Sequence, residues 1–356
     1  MKNLILPFLL ILTLVFSCRS ENDETLERKV ASYDVYVGGV DEFDACYWKN
    51  GQKISLPGGE NLQGTYVKVE NNGDVYMLAN NIEKLGGNHT IPAWYFWKNG
   101  VKYNVANYLN VAPNTLNIQD NLQIWNNLTI HNGDIYFSGI IKNPSPTSSI
   151  DIFQLCYWKN GVKTVLESFS TANPATVGCI GFYNNEMYIT TRKNFNYNSG
   201  SPTWDLGYFK NNIYHYIQSN LNSKYFLSDN FGMYLVAENQ SFINNIFVKN
   251  LITGNNLTLP TNVTQTNITN MVLDNSDKYY IGNNFYFKNN NLIQISDPNN
   301  FNKIGLFLAK DQNIYMSRYN TDTGGKSVKF YINGVEILSL QDITRGCFNS
   351  IFVVQN

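Results

Sequence analysis

The amino-acid sequence predicts an all-β chain, a seven-bladed β-propeller of four-stranded antiparallel blades. Three observations predict it. An aromatic-Trp-Lys-Asn-Gly motif stands at Tyr47–Gly51, Phe96–Gly100 and Tyr157–Gly161, with looser copies at Phe209–Asn212, Val248–Leu251, Phe287–Asn290 and Tyr331–Gly334. A tyrosine precedes every copy, at positions 36, 76, 136, 188, 234, 279 and 315. The two ends of the chain carry complementary pieces of one further repeat.

Each element has a physical reason. Asn-Gly between apolar runs marks a type I′ hairpin turn, because both central residues need positive φ. The motif is therefore the end of one strand and the turn into the next. Equivalent positions lie 49, 61, 51, 39, 39 and 44 residues apart, a spacing that suits several strands per unit and a propeller period. The tyrosine usually follows another turn, as in Asn72-Gly73 and Asn132-Gly133. Each unit thus reads strand A, turn, strand B with the tyrosine, variable loop, strand C with the aromatic motif, turn, strand D. The later copies lose the tryptophan, and the fifth also loses the Asn-Gly turn.

The chain enters the fold at a B strand, YDVYVGG, and leaves it at an orphan A strand, SIFVV. Pairing the two completes the seventh blade and removes the sheet edge that an open array would expose. The repeat tyrosines and tryptophans are expected to pack between blades. The motif lysines are expected to solvate the turns, and Asp34, Asp74 and Asp134 to serve as turn residues.

The expected domain plan is a leader over 1–17, a tether over 18–30 and the propeller over 31–356. Lys2 supplies a positive start, and Leu4 to Phe16 is an apolar run too short to span a bilayer comfortably. It ends in Val15-Phe16-Ser17-Cys18, which resembles a bacterial lipobox. That resemblance implies lipidation of Cys18 as the mature N-terminus and a membrane anchor without a spanning helix. The acidic stretch Ser20-Glu21-Asn22-Asp23-Glu24 reads either as a flexible tether or as similar to the surface-export signals of Bacteroidota lipoproteins.

The repeats themselves resemble a group of Bacteroidota lipoprotein propellers built on aromatic-Trp-Lys-Asn-Gly units. The resemblance covers nearly all of the mature chain. It implies an outer-membrane lipoprotein, facing the periplasm or exposed on the cell surface, and implies no particular activity.

Composition narrows the function. A formal net charge of −1 provides no basic face for nucleic acid. Cys46 and Cys156 share one repeat position and Cys179 and Cys347 share another, so they are expected to be separated, buried thiols. No CxxC occurs, and His89, His131 and His215 fall on different parts of the repeat, so neither a metal centre nor a bound cofactor is expected. Asn320-Thr321-Asp322-Thr323-Gly324 only faintly resembles a calcium loop.

Short A–B and C–D turns occupy one face of the ring. The long B–C loops and D–A crossovers occupy the other: Asn80 to Pro92, Ala106 to Trp125, Lys142 to Ile150, Lys193 to Pro202 and Asn320 to Lys326. Function concentrates on loops held by a rigid scaffold. The candidate ligand contacts are therefore Tyr108, Asp120, Trp125, Phe195, Tyr197, Trp204, Tyr319 and Asp322. Aromatic rings and amides suit the C–H faces and hydroxyls of a glycan, and aromatics equally suit a protein interface. They also serve to pin loops to blade ends.

The expected role is thus a monomeric binding or scaffold module for an envelope protein or a glycan. The alternative is a polysaccharide hydrolase or lyase, which needs a carboxylate pair. Glu83, Asp120, Asp151, Glu167, Asp205 and Asp322 all fall near the loop face, and no GxSxG, HExxH or phosphate loop is present.

Overall fold

A computed structural model describes residues 33–81, 93–111, 128–197, 202–239, 242–260, 267–320, 322 and 327–355. Its strands form seven separate antiparallel sheets, the seven blades. Blade 1 takes strand A from Cys347–Gln355 and strands B, C and D from Tyr33–Asp41, Asp44–Lys49 and Gln52–Ser55. The closure register runs from Tyr33↔Gln355 to Val40↔Cys347, so the two ends of the chain meet as the repeat requires. Blades 2 to 7 follow over 63–104, 129–169, 176–219, 221–250, 270–294 and 303–340. Six blades have four strands. Blade 5 has three, and its outer strand shrinks to a bridge between Lys249 and Asn256. This is the blade whose motif follows its asparagine with Leu251, where the other blades have glycine or asparagine.

The A strands lie innermost and are stitched to the next blade. Ser350 Oγ accepts from Val67 N at 2.8 Å. The Lys68 ammonium donates to the Ile130 carbonyl. Tyr225 OH donates to the Met271 carbonyl at 2.9 Å, and from strand B of blade 3 Ser138 Oγ donates to the Gly178 carbonyl in strand A of blade 4 at 2.8 Å. In five blades the A–B ladder shifts register, at Gly38/Gly39, Gly64/Tyr66, Val177/Ile180, Ser223/Tyr225 and Ile304/Phe307. Such bulges add the twist a tightly packed inner strand needs.

The core lies between the blades. All seven repeat tyrosines are buried, as are Trp48, Trp97 and Trp158. Trp97 packs under the preceding blade, where its Nε1 donates to the Pro57 carbonyl at 2.9 Å. The four described cysteines are free thiols. Burial pushes the Cys46 and Cys156 thiols up to about 12 and Cys179 to about 11, which keeps them protonated and inert.

The recurring Lys-Asn-Gly does more than turn the chain. Asn50 has φ 49° and Gly51 φ 84°, and the motif turns Asn99-Gly100, Asn160-Gly161 and Asn333-Gly334 match them. Asn50 Oδ1 accepts from Val35 N at 2.8 Å, and its Nδ2 donates to Asp34 at 2.7 Å. Lys49 pairs with the same Asp34 at 2.6 Å and lies 5.4 Å above the Tyr36 ring. Asn99, Lys98, Asp74 and Tyr76 repeat this clamp, as do Asn160, Lys159, Asp134 and Tyr136. Blade 6 repeats it with Asn289, Lys288, Asp277 and Tyr279. Blade 4 keeps Lys210, Glu186 and Tyr188. Blade 7 runs it without charge, through Asn333 and Asn313.

This corrects the expectation that the motif lysines merely solvate the turns, and it gives the turn aspartates Asp34, Asp74 and Asp134 their partners. Each clamp ties the C–D turn to the start of strand B. Blade 5 has Gly232 at the acid position, where a Cβ would lie 2.6 Å from the Asn250 side chain. That asparagine instead caps its own turn, accepting from Ile252 N and Thr253 N.

Candidate functional site

Among the described residues, a three-ring aromatic cluster stands on the loop face, on the B–C hairpin of blade 4. Strand B there is Glu186–Asn196 and strand C is Thr203–Lys210. Their ladder pairs Lys193 with Asp205 and then Asn196 with Thr203. Asn194 and Phe195 therefore face Trp204 as a two-against-one bulge. Asn194 takes φ 54°, and its side chain donates to Asp205 at 2.9 Å. A bulge bends the strand and re-aims a side chain, and here it turns Phe195 onto Trp204.

The three rings form a ladder. Phe195 lies 5.7 Å from Trp204, and Tyr197 stacks on Phe195 at 6.1 Å with planes 12° apart. Trp204 is the buried base, its Nε1 donating to the Leu221 carbonyl at 2.7 Å. Tyr197 is the outer rung and is 65% exposed. The Arg192 guanidinium sits 5.3 Å from the Trp204 ring centroid and 5.7 Å from that of Phe195. It is fixed by Thr176 Oγ1 at 3.1 Å and by Asn222 Oδ1 at 2.8 Å, the latter in the next blade.

Three of the expected contacts, Phe195, Tyr197 and Trp204, thus come together. Arg192 was not expected. Its signal is its place immediately before the loop that opens at Lys193, but its partners lie on other strands.

The other expected residues are placed apart. Tyr108 ends a one-turn helix, Val105–Tyr108, and packs edge-on against Phe96 at 5.0 Å in the core between blades 2 and 3. Its carbonyl lies beside Gly161 in a C–D turn. Beyond it a cavity of about 380 Å³ is lined by Leu109, Val111, Ile141 and Pro144. Tyr319 packs in the core between blades 7 and 1, its ring against Gly305. Asp322 accepts from the Asn300 side chain, and its own N–H donates to Asn320 Oδ1 at 2.8 Å. Asp120, Trp125 and Cys18 lie outside the described residues, as do Glu83 and His89.

The described loop-face carboxylates are each engaged. Glu167 pairs with Lys193. Asp205 accepts from Asn194 and from Ser219 Oγ at 2.7 Å. Asp151 is held below the usual carboxylate range by the Ser168 hydroxyl, with Asn143 and Thr147 adding to it. A glycosidase acid needs the opposite shift. His131 stacks on Phe182 at 4.0 Å and His215 on Tyr208 at 5.0 Å. Among the described residues no three His, Cys, Asp or Glu side chains gather as a metal site, and no helix is long and apolar enough to cross a membrane.

No protein-family model matches the chain, and no curated protein matches it in sequence. Several solved structures resemble it in shape. Acylaminoacyl peptidase from Pyrococcus horikoshii is 8% identical with a TM-score of 0.48, over 87% of this chain and 51% of the peptidase. The chain therefore spans about half the length of that enzyme. Apo AztD from Citrobacter koseri is 10% identical with a TM-score of 0.45, over 90% and 98%. An alpha-L-arabinanase from Penicillium chrysogenum, complexed with arabinobiose, is 9% identical with a TM-score of 0.38, over 90% and 98%. The fold is read from the blades themselves: this chain is a seven-bladed β-propeller closed by its own two ends.

Proposed function

We propose that the protein is a lipid-anchored binding or scaffold propeller of the outer membrane. In this reading Cys18 holds it to the membrane, and the face bearing the B–C and D–A loops recognises an envelope protein or a glycan. The observation that supports it is the Tyr197–Phe195–Trp204 ladder with Arg192 beside it. The outer ring is exposed while its supports are fixed by hydrogen bonds. Pre-ordered aromatics lose little freedom on binding, and Tyr, Trp and Arg supply most interface hot spots.

Capture of the intact lipoprotein from its own membranes, beside a glycan array, tests this. The wild type is expected to retain one partner in stoichiometric amount or to bind a glycan, and Tyr197→Ala to weaken that binding about tenfold or more. Undiminished binding by Tyr197→Ala overturns the assignment of the site. Cys18→Ser is expected to move the protein out of the membrane fraction, and its retention there overturns the anchor.

A further inference from the structure

The turn between strands B and C of blade 1 is Glu42-Phe43, with φ 54° and 70°. A two-residue hairpin of this kind favours asparagine and glycine, because side chains resist positive φ. Among the described residues Asn-Gly fills five other turns with two positive-φ residues, Asn-Asn two and Asp311-Gln312 one. Burial does not explain the exception, since Phe43 is 51% exposed. Strain held at an exposed residue points to a use for the side chain.

Phe43 stands at the rim of a cavity of about 360 Å³, whose wall also includes Leu62, Gln63, Ile343, Thr344 and Arg345. That size falls within the range of small-molecule sites. The wall is made where the chain closes, from the two crossovers that lead into the A strands of blades 1 and 2. The Phe43 N–H donates to the Arg345 carbonyl at 2.8 Å, and the Arg345 guanidinium lies 5.7 Å from the phenyl centroid. The same guanidinium pairs with Glu42, so its charge is already balanced. Asn61 lines the cavity as well, and amide side chains such as those of Asn61 and Gln63 both donate to and accept from hydroxyls.

We propose that this cavity is a binding site for a neutral sugar. The phenyl ring covers the C–H face of the sugar, the Asn61 and Gln63 amides of the lining meet its hydroxyls, and the balanced Arg345–Glu42 pair gives no preference for a charged ligand. The site shares no residue with the Tyr197 ladder, so either can fail without the other.

The test uses the full chain and saturation-transfer NMR with glucose, galactose, N-acetylglucosamine and cellobiose, with glucuronate as the charged control. Transfer to the ring protons of at least one neutral sugar is expected, with none greater for glucuronate. Phe43→Gly is expected to abolish the transfer while leaving Tm unchanged or higher, because glycine adopts the turn without strain. Tyr197→Ala is expected to leave transfer intact. No transfer to any of the four sugars, or transfer that survives Phe43→Gly, overturns the proposal. A fall in Tm on Phe43→Gly also overturns it, since the phenyl would then serve the fold.

Discussion

At the scale of single residues, the clamp asparagines carry two duties at once. Asn99 holds φ 50° and bonds both Val75 N and Asp74 through its side chain. Asn99→Gly keeps the turn conformation and removes the side-chain bonds, so it is expected to destabilise by about 1 kcal/mol. Asn99→Ala adds backbone strain of roughly 1–2 kcal/mol. Chemical denaturation should therefore rank the alanine variant below the glycine variant, and the reverse order would contradict the clamp.

The clamp acids also set the acid limit of the fold. Lys49 holds the Asp34 carboxyl below its ordinary value, Asn99 and Lys98 do so for Asp74, and Lys159 and Asn160 for Asp134. A group whose pKa is lower folded than unfolded stabilises the fold fully above the unfolded value, near pH 4 for aspartate. That contribution is lost as pH falls through the folded value. Thermal melts should fall below about pH 4, and a triple Asp→Asn variant at 34, 74 and 134 should show a shallower fall. An unchanged slope would mean these pairs do not couple to folding.

At the scale of elements, the hairpins were legible and their reinforcements were not. Asn-Gly dictates a turn from local backbone sterics alone, so the strand order could be read directly. The clamp joins Asp34 to Lys49, but Asp74 to Lys98 and Asp277 to Lys288, and so has no fixed spacing to read. The blade 4 cluster was legible in its aromatics because they bracket a loop, whereas Arg192 depends on Asn222 of the next blade. Tyr108 reads as a loop residue, yet the short helix folds it into the seam between blades. The Glu42-Phe43 turn carries none of the residues that announce positive φ.

The inter-blade seams hold most of the core. Trp97 is buried and hydrogen-bonded to the neighbouring crossover. Trp97→Ala is expected to cost about 3–5 kcal/mol by denaturant titration. A loss below 1 kcal/mol would show that the seam can collapse around the gap.

At the scale of the whole molecule, the two faces of the ring differ in kind. One is a rim of short turns locked by charged clamps. The other presents crossovers, bulges and exposed rings on that locked frame. The frame closes through strand A of blade 1, so deleting Cys347–Gln355 would leave blade 1 an unpaired inner edge. Circular dichroism and light scattering of that truncation should show loss of the cooperative melt and aggregation. A soluble truncation with an unchanged melt would show that closure is dispensable.

The central claim, that partners are met on the loop face, is tested most directly by photocrosslinking in the native membrane. A benzophenone amino acid would replace Tyr197 in one variant and Asn72, in an A–B turn of the other face, in a second. A discrete adduct, protein or glycan, is expected from position 197 and none from position 72. An adduct from position 72 alone would place recognition on the clamped face and contradict the account.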